Sequence, residues 1–118
     1  MKKIYICFKD SLHPQNQNEK LKSYARFIVN DCGGIPVSPY IYFTLFLDPN
    51  IKEEIHFISM IEKFLLLECD ELWYFGDTIT QSMVGEIVLA MDNKIPVKYI
   101  SDHTINKIKE HGGIIDEL

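Results

Sequence analysis

Residues 71–87 read "ELWYFGDTITQSMVGEI", and this stretch decides the fold. "ELWYF" is a short apolar and aromatic run of the kind that forms a strand buried on both faces. Gly76 to Thr80 supply a turn, and residues 81 to 93 a helix. In that helix Met83, Val84, Ile87, Val88, Ala90 and Met91 recur at roughly 100° per residue, which turns them into one stripe facing a core. A buried strand followed by a short turn and an amphipathic helix is the repeating unit of a parallel sheet.

The same alternation runs outward in both directions. "KIYICF" (residues 3–8) reads as a strand, followed by the polar loop "KDSLHPQNQN". From about residue 18, Leu21, Ala25, Ile28, Val29 and Cys32 mark a helix that Gly33-Gly34 stops. "IPVSPY" reads as a second strand closed by Pro39. The apolar "YIYFTLFL" and the breaker "DPN" come next. Ile55, Ile58, Ile61, Phe64 and Leu65 then describe a helix to about Glu68. "IPVKYI" (residues 95–100) is a fourth strand, and residues 102 to 111 are a last helix before Gly112-Gly113. Continuous apolar strands alternating with helices predict an α/β fold, a Rossmann-like three-layer α/β/α sandwich on a four- to five-stranded parallel sheet. No repeat or linker divides it, so residues 1–118 are expected to form a single domain.

Composition narrows the partners. The formal charge of -5 opposes attraction to phosphate polymers, so no nucleic-acid polymer is expected. Cys7, Cys32 and Cys69 lack CxxC spacing and sit in apolar stretches, which predicts buried reduced thiols and a cytoplasmic location. The apolar run at the start is too short for a signal sequence, and no stretch approaches the roughly 20 apolar residues of a spanning helix; no membrane partner is expected. His13, His56, His103 and His111 are not at metal-ligand spacing, so no metal is expected. Without GxGxxG or GxxxxGK[ST], neither a dinucleotide oxidoreductase nor a P-loop enzyme is supported.

Ligands of open parallel sheets bind at the carboxyl ends of the strands. That rule selects the loops after the first three strands. Lys9 and Asp10 stand in the first, with surface charge the plainer reading. In the third, Gly76, Asp77, Thr78 and Thr80 lead into a helix whose free N–H groups favour an anionic or hydroxylated ligand, although Thr80 or Ser82 equally suits a cap. Glu86 falls at the edge of its helix's stripe. Geometry alone favours a solvated edge position, the alternative being a carboxylate that looks into a cleft with its pKa raised by desolvation. Tyr40, Tyr42, Phe43 and Phe46 are suited to stacking a base, to an interface or to the core, and the latter two fit better.

The order "KKIYIC", "IPVSPYIYFTLFLD", "CDELWYFGDTITQSMVGEI", "IPVKY" resembles the nucleoside 2-deoxyribosyltransferase-like superfamily, in its small phage and bacterial branch of domains of unknown function. The likeness runs from about residue 2 to residue 100. It implies that Glu86 matches the nucleophile that attacks C1′ of a nucleoside, and it makes Glu86 a pocket residue. Glu62 matches, loosely, a second acid on the preceding helix, and Asp70 a structural aspartate. The implied ligand contacts are Tyr5, Phe8, Lys9 and Asp10 from the first strand and loop, and Tyr40 and Phe43 after the second strand. Gly76, Asp77 and Thr80 supply the third loop, with Ser82, Met83 and Glu86 on the helix. No cofactor is implied.

Departures from that pattern shape the expectation. Relatives often read Ser-Pro where this chain has Phe8-Lys9-Asp10, His at Tyr40, Gly at Ser82 and Asp at Thr80. The bulkier loop and the missing acid fall where a reacting sugar would sit, and a misplacement of about 1 Å costs on the order of a hundredfold in rate. The expected function is therefore binding of a nucleoside or nucleotide-derived small molecule, with Glu86 accepting hydrogen bonds from ribose hydroxyls. Sequestration of a nucleotide signal, for example in phage anti-defence, is one such role. The alternatives are an enzyme that transfers or hydrolyses N-glycosidic bonds through Glu86, and a ligand-free scaffold built on "PYIYFTLFL". A homodimer or larger homo-oligomer is expected throughout.

Overall fold

Successive side chains of a strand point to opposite faces, and the first strand shows what that alternation builds here. In β1 (Lys3–Cys7), Ile4 and Ile6 face one helical layer while Tyr5 and Cys7 face the other, and all four are buried. The computed structural model of the protein describes residues 1–111. After β1 come α1 (Gln17–Cys32), β2 (Ile35–Val37), α2 (Pro39–Phe43), α3 (Lys52–Leu66), β3 (Glu71–Phe75), α4 (Gln81–Asp92), β4 (Val97–Ile100) and α5 (Asp102–Glu110). A single 3-10 turn over Pro14–Asn16 precedes α1. The predicted Gly112-Gly113 stop lies outside the described residues.

Every strand pair is parallel, in the order β2-β1-β3-β4. This is an α/β sandwich of the Rossmann-like kind, with four strands. Ile4, Ile6, Trp73, Phe75 and Ile100 pack against Phe27 and Ile28 of α1 and Ile108 of α5. On the opposite face Tyr5, Cys7 and Leu72 meet Leu66 of α3 and Met83 and Ala90 of α4. The strand order reverses between β1 and β3, so the crevice of the fold opens above their carboxyl ends.

Two local features set the frame. Gly33 ends α1 in the left-handed conformation (φ 68°), the geometry glycine adopts without a Cβ penalty. At the amino ends of the strands the buried Glu71 carboxylate receives Lys2 Nζ at 2.5 Å, Lys98 Nζ at 3.1 Å and Trp73 Nε1 at 2.9 Å. Burial pushes that carboxyl up, but the three donors outweigh it and hold the pKa at about 2.

The helix faces differ from the periodic reading in one respect. Met83, Ile87 and Ala90 of α4 face inward, whereas Val84, Val88 and Met91 are about half exposed or more. Val29 of α1 and Phe64 of α3 are also exposed. A four-stranded sheet covers only one narrow side of each helix, while the apolar residues of these helices spread over a wider arc. Pro39 opens α2 at its first turn, where the missing N–H costs nothing. Of the "YIYFTLFL" segment, Tyr42, Leu45 and Phe46 are exposed. Cys7, Cys32 and Cys69 are free thiols, two of them buried.

Candidate functional site

Tyr5 lies in the middle of β1 with its side chain on the α3/α4 face, and its hydroxyl donates a hydrogen bond to Oε2 of Glu86. Glu86 reaches it because it stands three residues after Met83 and four before Ala90, both fully buried, which places it on the inward side of α4. The carboxylate is thus a partly buried group and not a solvated edge charge. Burial pushes its pKa above the ordinary carboxylate range, opposed by the hydrogen bonds from Tyr5 and Cys7 and by the charges of Lys63 and Lys9. Burial, with the charge of Glu86, pushes the Cys7 thiol far up, so it stays protonated and acts as a donor, not a nucleophile.

Glu62 approaches the same space from α3. Burial and the neighbouring charge of Glu86 push its pKa up to about 7, against the pull of Lys9. Two carboxyl groups therefore share one cavity, and the Tyr5 hydroxyl that donates to Glu86 also lowers the pKa of Glu62. Burial raises the pKa of both carboxyls, and the charge of one raises the pKa of the other, as expected of two acids that share a site.

The cavity has a volume of about 460 Å³ and collects six of the expected residues, Phe8, Lys9, Tyr40, Glu62, Ser82 and Glu86. The Lys9 ammonium sits 5.2 Å from the centroid of the Tyr40 ring, a cation–π distance. The structure adds residues the sequence reading did not single out. Ile55 and Ser59 line the wall with Glu62, seven and three positions earlier on one side of α3. Gly85 lines it beside Glu86, and a Cβ there would meet nothing within 4 Å. Helical spacing counted back from the two glutamates is the signal that finds them.

Gln17 is buried and fixes the first loop from beneath. Its Nε2 donates to the Phe8 carbonyl at 2.9 Å and its Oε1 accepts from the Asp10 N–H at 2.7 Å. The bulky Phe8-Lys9-Asp10 segment is therefore held by side-chain bonds to its backbone on both sides of Lys9. Lys63 also lines the cavity.

Other expected residues stand elsewhere. Met83 is core, and Thr80 caps α4 by accepting from the Met83 N–H at 3.4 Å. Phe43 packs edge-on against Phe57, with ring centroids 5.7 Å apart. Asp70 accepts from the Lys3 N–H at 2.7 Å, a bond between strand ends. Asp10, Gly76 and Asp77 line a second cavity of about 360 Å³ on the far side of Phe8. The Asp10 carboxyl is held below its ordinary range by the hydrogen bond from Lys20. Among the described residues no three His, Cys, Asp or Glu side chains gather as a metal site would require, and no helix is long and apolar enough to cross a membrane.

A family profile described as "Domain of unknown function (DUF7768)" matches residues 2–100. No curated protein matches the chain. Among solved structures, a 2-deoxyribosyltransferase from the psychrotolerant bacterium Bacillus psychrosaccharolyticus, described as a biocatalyst for nucleoside synthesis, aligns with a TM-score of 0.63 at 16% identity. The alignment covers 84% of this chain and 72% of that one. At that identity the likeness is one of fold.

Proposed function

We propose that this chain, which belongs to the DUF7768 family, binds a nucleoside or nucleotide-derived molecule in the Glu62–Glu86 cavity and cleaves or transfers its N-glycosidic bond. One observation carries the reading: a carboxylate hydrogen-bonded to a buried tyrosine faces the same cavity as a second carboxyl whose pKa stands near 7. The fold shared with a 2-deoxyribosyltransferase supports it.

In this reading the Glu86 carboxylate attacks C1′ of the sugar. The C1′–N bond breaks, its electron pair leaves with the base, and the Glu62 carboxyl supplies that nitrogen with a proton. A glycosyl ester on Glu86 results. A second base, or water, then attacks C1′, the ester oxygen departs as the Glu86 carboxylate, and ionised Glu62 takes the proton from the incoming group. Tyr5 orients Glu86 and, by donating to it, stabilises the departing carboxylate in the second step. No cofactor or metal enters the scheme.

The test incubates the protein with a pool of nucleosides, deoxynucleosides and nucleotides and follows the pool by mass spectrometry, before and after heat denaturation. Conversion to free base or exchanged nucleoside, lost in Glu86→Gln, is the expected result. Full turnover by that variant removes Glu86 as nucleophile.

A second reading, favoured by the first loop, is sequestration. Phe8 and Lys9 line the cavity, and Thr80 serves as a cap where an acid would assist chemistry. A compound that disappears from the filtrate and returns intact on heating would establish this role, with Glu86 accepting from ribose hydroxyls. In either reading the protein works in the cytoplasm as a homodimer or larger homo-oligomer. A host nucleotide signal is one candidate ligand for sequestration, and phage anti-defence is one context for it.

A further inference from the structure

Phe8 is the wall between two cavities. On one side stand Glu62 and Glu86; on the other is the cavity of about 360 Å³ lined by Tyr24, Ser23, Asp77 and Asp102. Lys9 lines both. Its ammonium makes no ion pair with the described residues. The wall is firmly set: Tyr24 meets the Phe8 ring edge-on at 5.2 Å and stacks on Phe75 at 4.2 Å. Gly76 (φ 96°) passes so close that a Cβ there would lie 3.0 Å from the ring. Phe8 follows β1 and Gly76 follows β3, the neighbouring strands between which the order reverses.

We infer that the second cavity is a subsite for a second nucleoside half, so that the ligand is a dinucleotide whose phosphates cross the Phe8–Lys9 segment. The inference rests on the proposed function of the first cavity and names its substrate class. The pattern of charge carries it. Lys20 is already paired with Asp10 at 2.8 Å, which leaves Asp77 and Asp102 within the second cavity and Lys9 at the junction. An isolated anion would not be matched by the two aspartates, nor an isolated cation by Lys9. Aromatic rings that flank a base, carboxylates that accept from ribose hydroxyls and a cation at the junction match the successive parts of a phosphate-linked pair of nucleosides.

The test measures, by isothermal titration, the four nucleoside 5′-monophosphates and the corresponding symmetric dinucleoside diphosphates, each in ribo and deoxy form. Filling both cavities with one linked molecule should make the best dinucleotide on the order of a hundredfold tighter than its monophosphate. Ser23 is exposed on α1 and lines only the second cavity. Ser23→Trp should bring that ratio to about one, while monophosphate affinity stays unchanged and so reports an intact fold. Monophosphate binding with no dinucleotide gain, or a gain that survives Ser23→Trp, overturns the two-part ligand and leaves the first cavity's reading standing. Failure of every probe to bind overturns the two-part ligand, and the first cavity's reading then stands or falls by the nucleoside pool.

Discussion

Glu62 and Glu86 differ in what holds them, and that difference fixes how activity and stability answer to pH. In the proposed reaction Glu62 donates its proton only while protonated, so the rate should fall as pH rises through about 7. The acid limb of that reaction would belong to Glu86, which must be ionised to attack and whose pKa is raised above 4.5. Glu62→Gln is expected to abolish the alkaline limb and to lower kcat by about 10² to 10⁴. Its effect on stability has the opposite sign. A carboxyl with pKa 4.5 unfolded and about 7 folded binds more protons in the native state between those values, so the folded state loses stability as pH rises through that window. The loss approaches roughly 3 kcal/mol. Glu62→Gln should therefore be more stable than the parent at pH 8 in urea titrations while being less active; a less stable variant would show that ionised Glu62 is not a burden on the fold. From sequence, Glu86 was reachable only through a resemblance, because its helix alone made it an edge charge. The bond to Tyr5, 81 positions away, depends on how β1 lies against α4, and no local pattern encodes that.

Thr80 illustrates what an element owes to its ends. Its hydroxyl accepts from the Met83 N–H, satisfying one of the donors that the first turn of α4 leaves without partners. Thr80→Ala should cost about 1 kcal/mol and lower Tm by about 4 °C. The cavity should keep its ligand affinity, because Thr80 does not line it. Thermal unfolding with and without ligand checks both halves. Capping and strand identity were legible in the sequence because both are local: "ELWYF" became β3 residue for residue, and Gly33 ends α1. The faces of the helices were less so. Val84, Val88 and Met91 satisfy helical periodicity as well as Met83 and Ala90 do, and only the width of the sheet decides which of them it covers. Ser59, Lys63 and Gly85 escaped notice because a cavity wall made by two helices needs no motif on either one.

Across the whole molecule, α3 and α4 carry their uncovered apolar residues on outward faces. Phe57, Met60 and Phe64 of α3, with Leu67 just after it, and Val84, Val88 and Met91 of α4 are all at least 45% exposed. Large exposed apolar patches mark interaction surfaces, and the proposed homo-oligomer would cover these residues. Sedimentation velocity is expected to give at least twice the mass of one chain, and Phe64→Asp combined with Val88→Asp to return the monomer; a parent protein that sediments as a monomer refutes the assembly. The order of the strands carries a different consequence, for biosynthesis. β1 is an interior strand whose second neighbour, β3, begins only at Glu71, opposite Ile4. Between the emergence of Val37 from the ribosome and that of Glu71, 34 more residues (71 minus 37) must be added before that pairing can start, about 2 to 7 s at typical elongation rates. During those seconds the nascent chain presents an unpaired strand edge, with Tyr5 and Cys7 uncovered beside it, to whatever waits outside the ribosome.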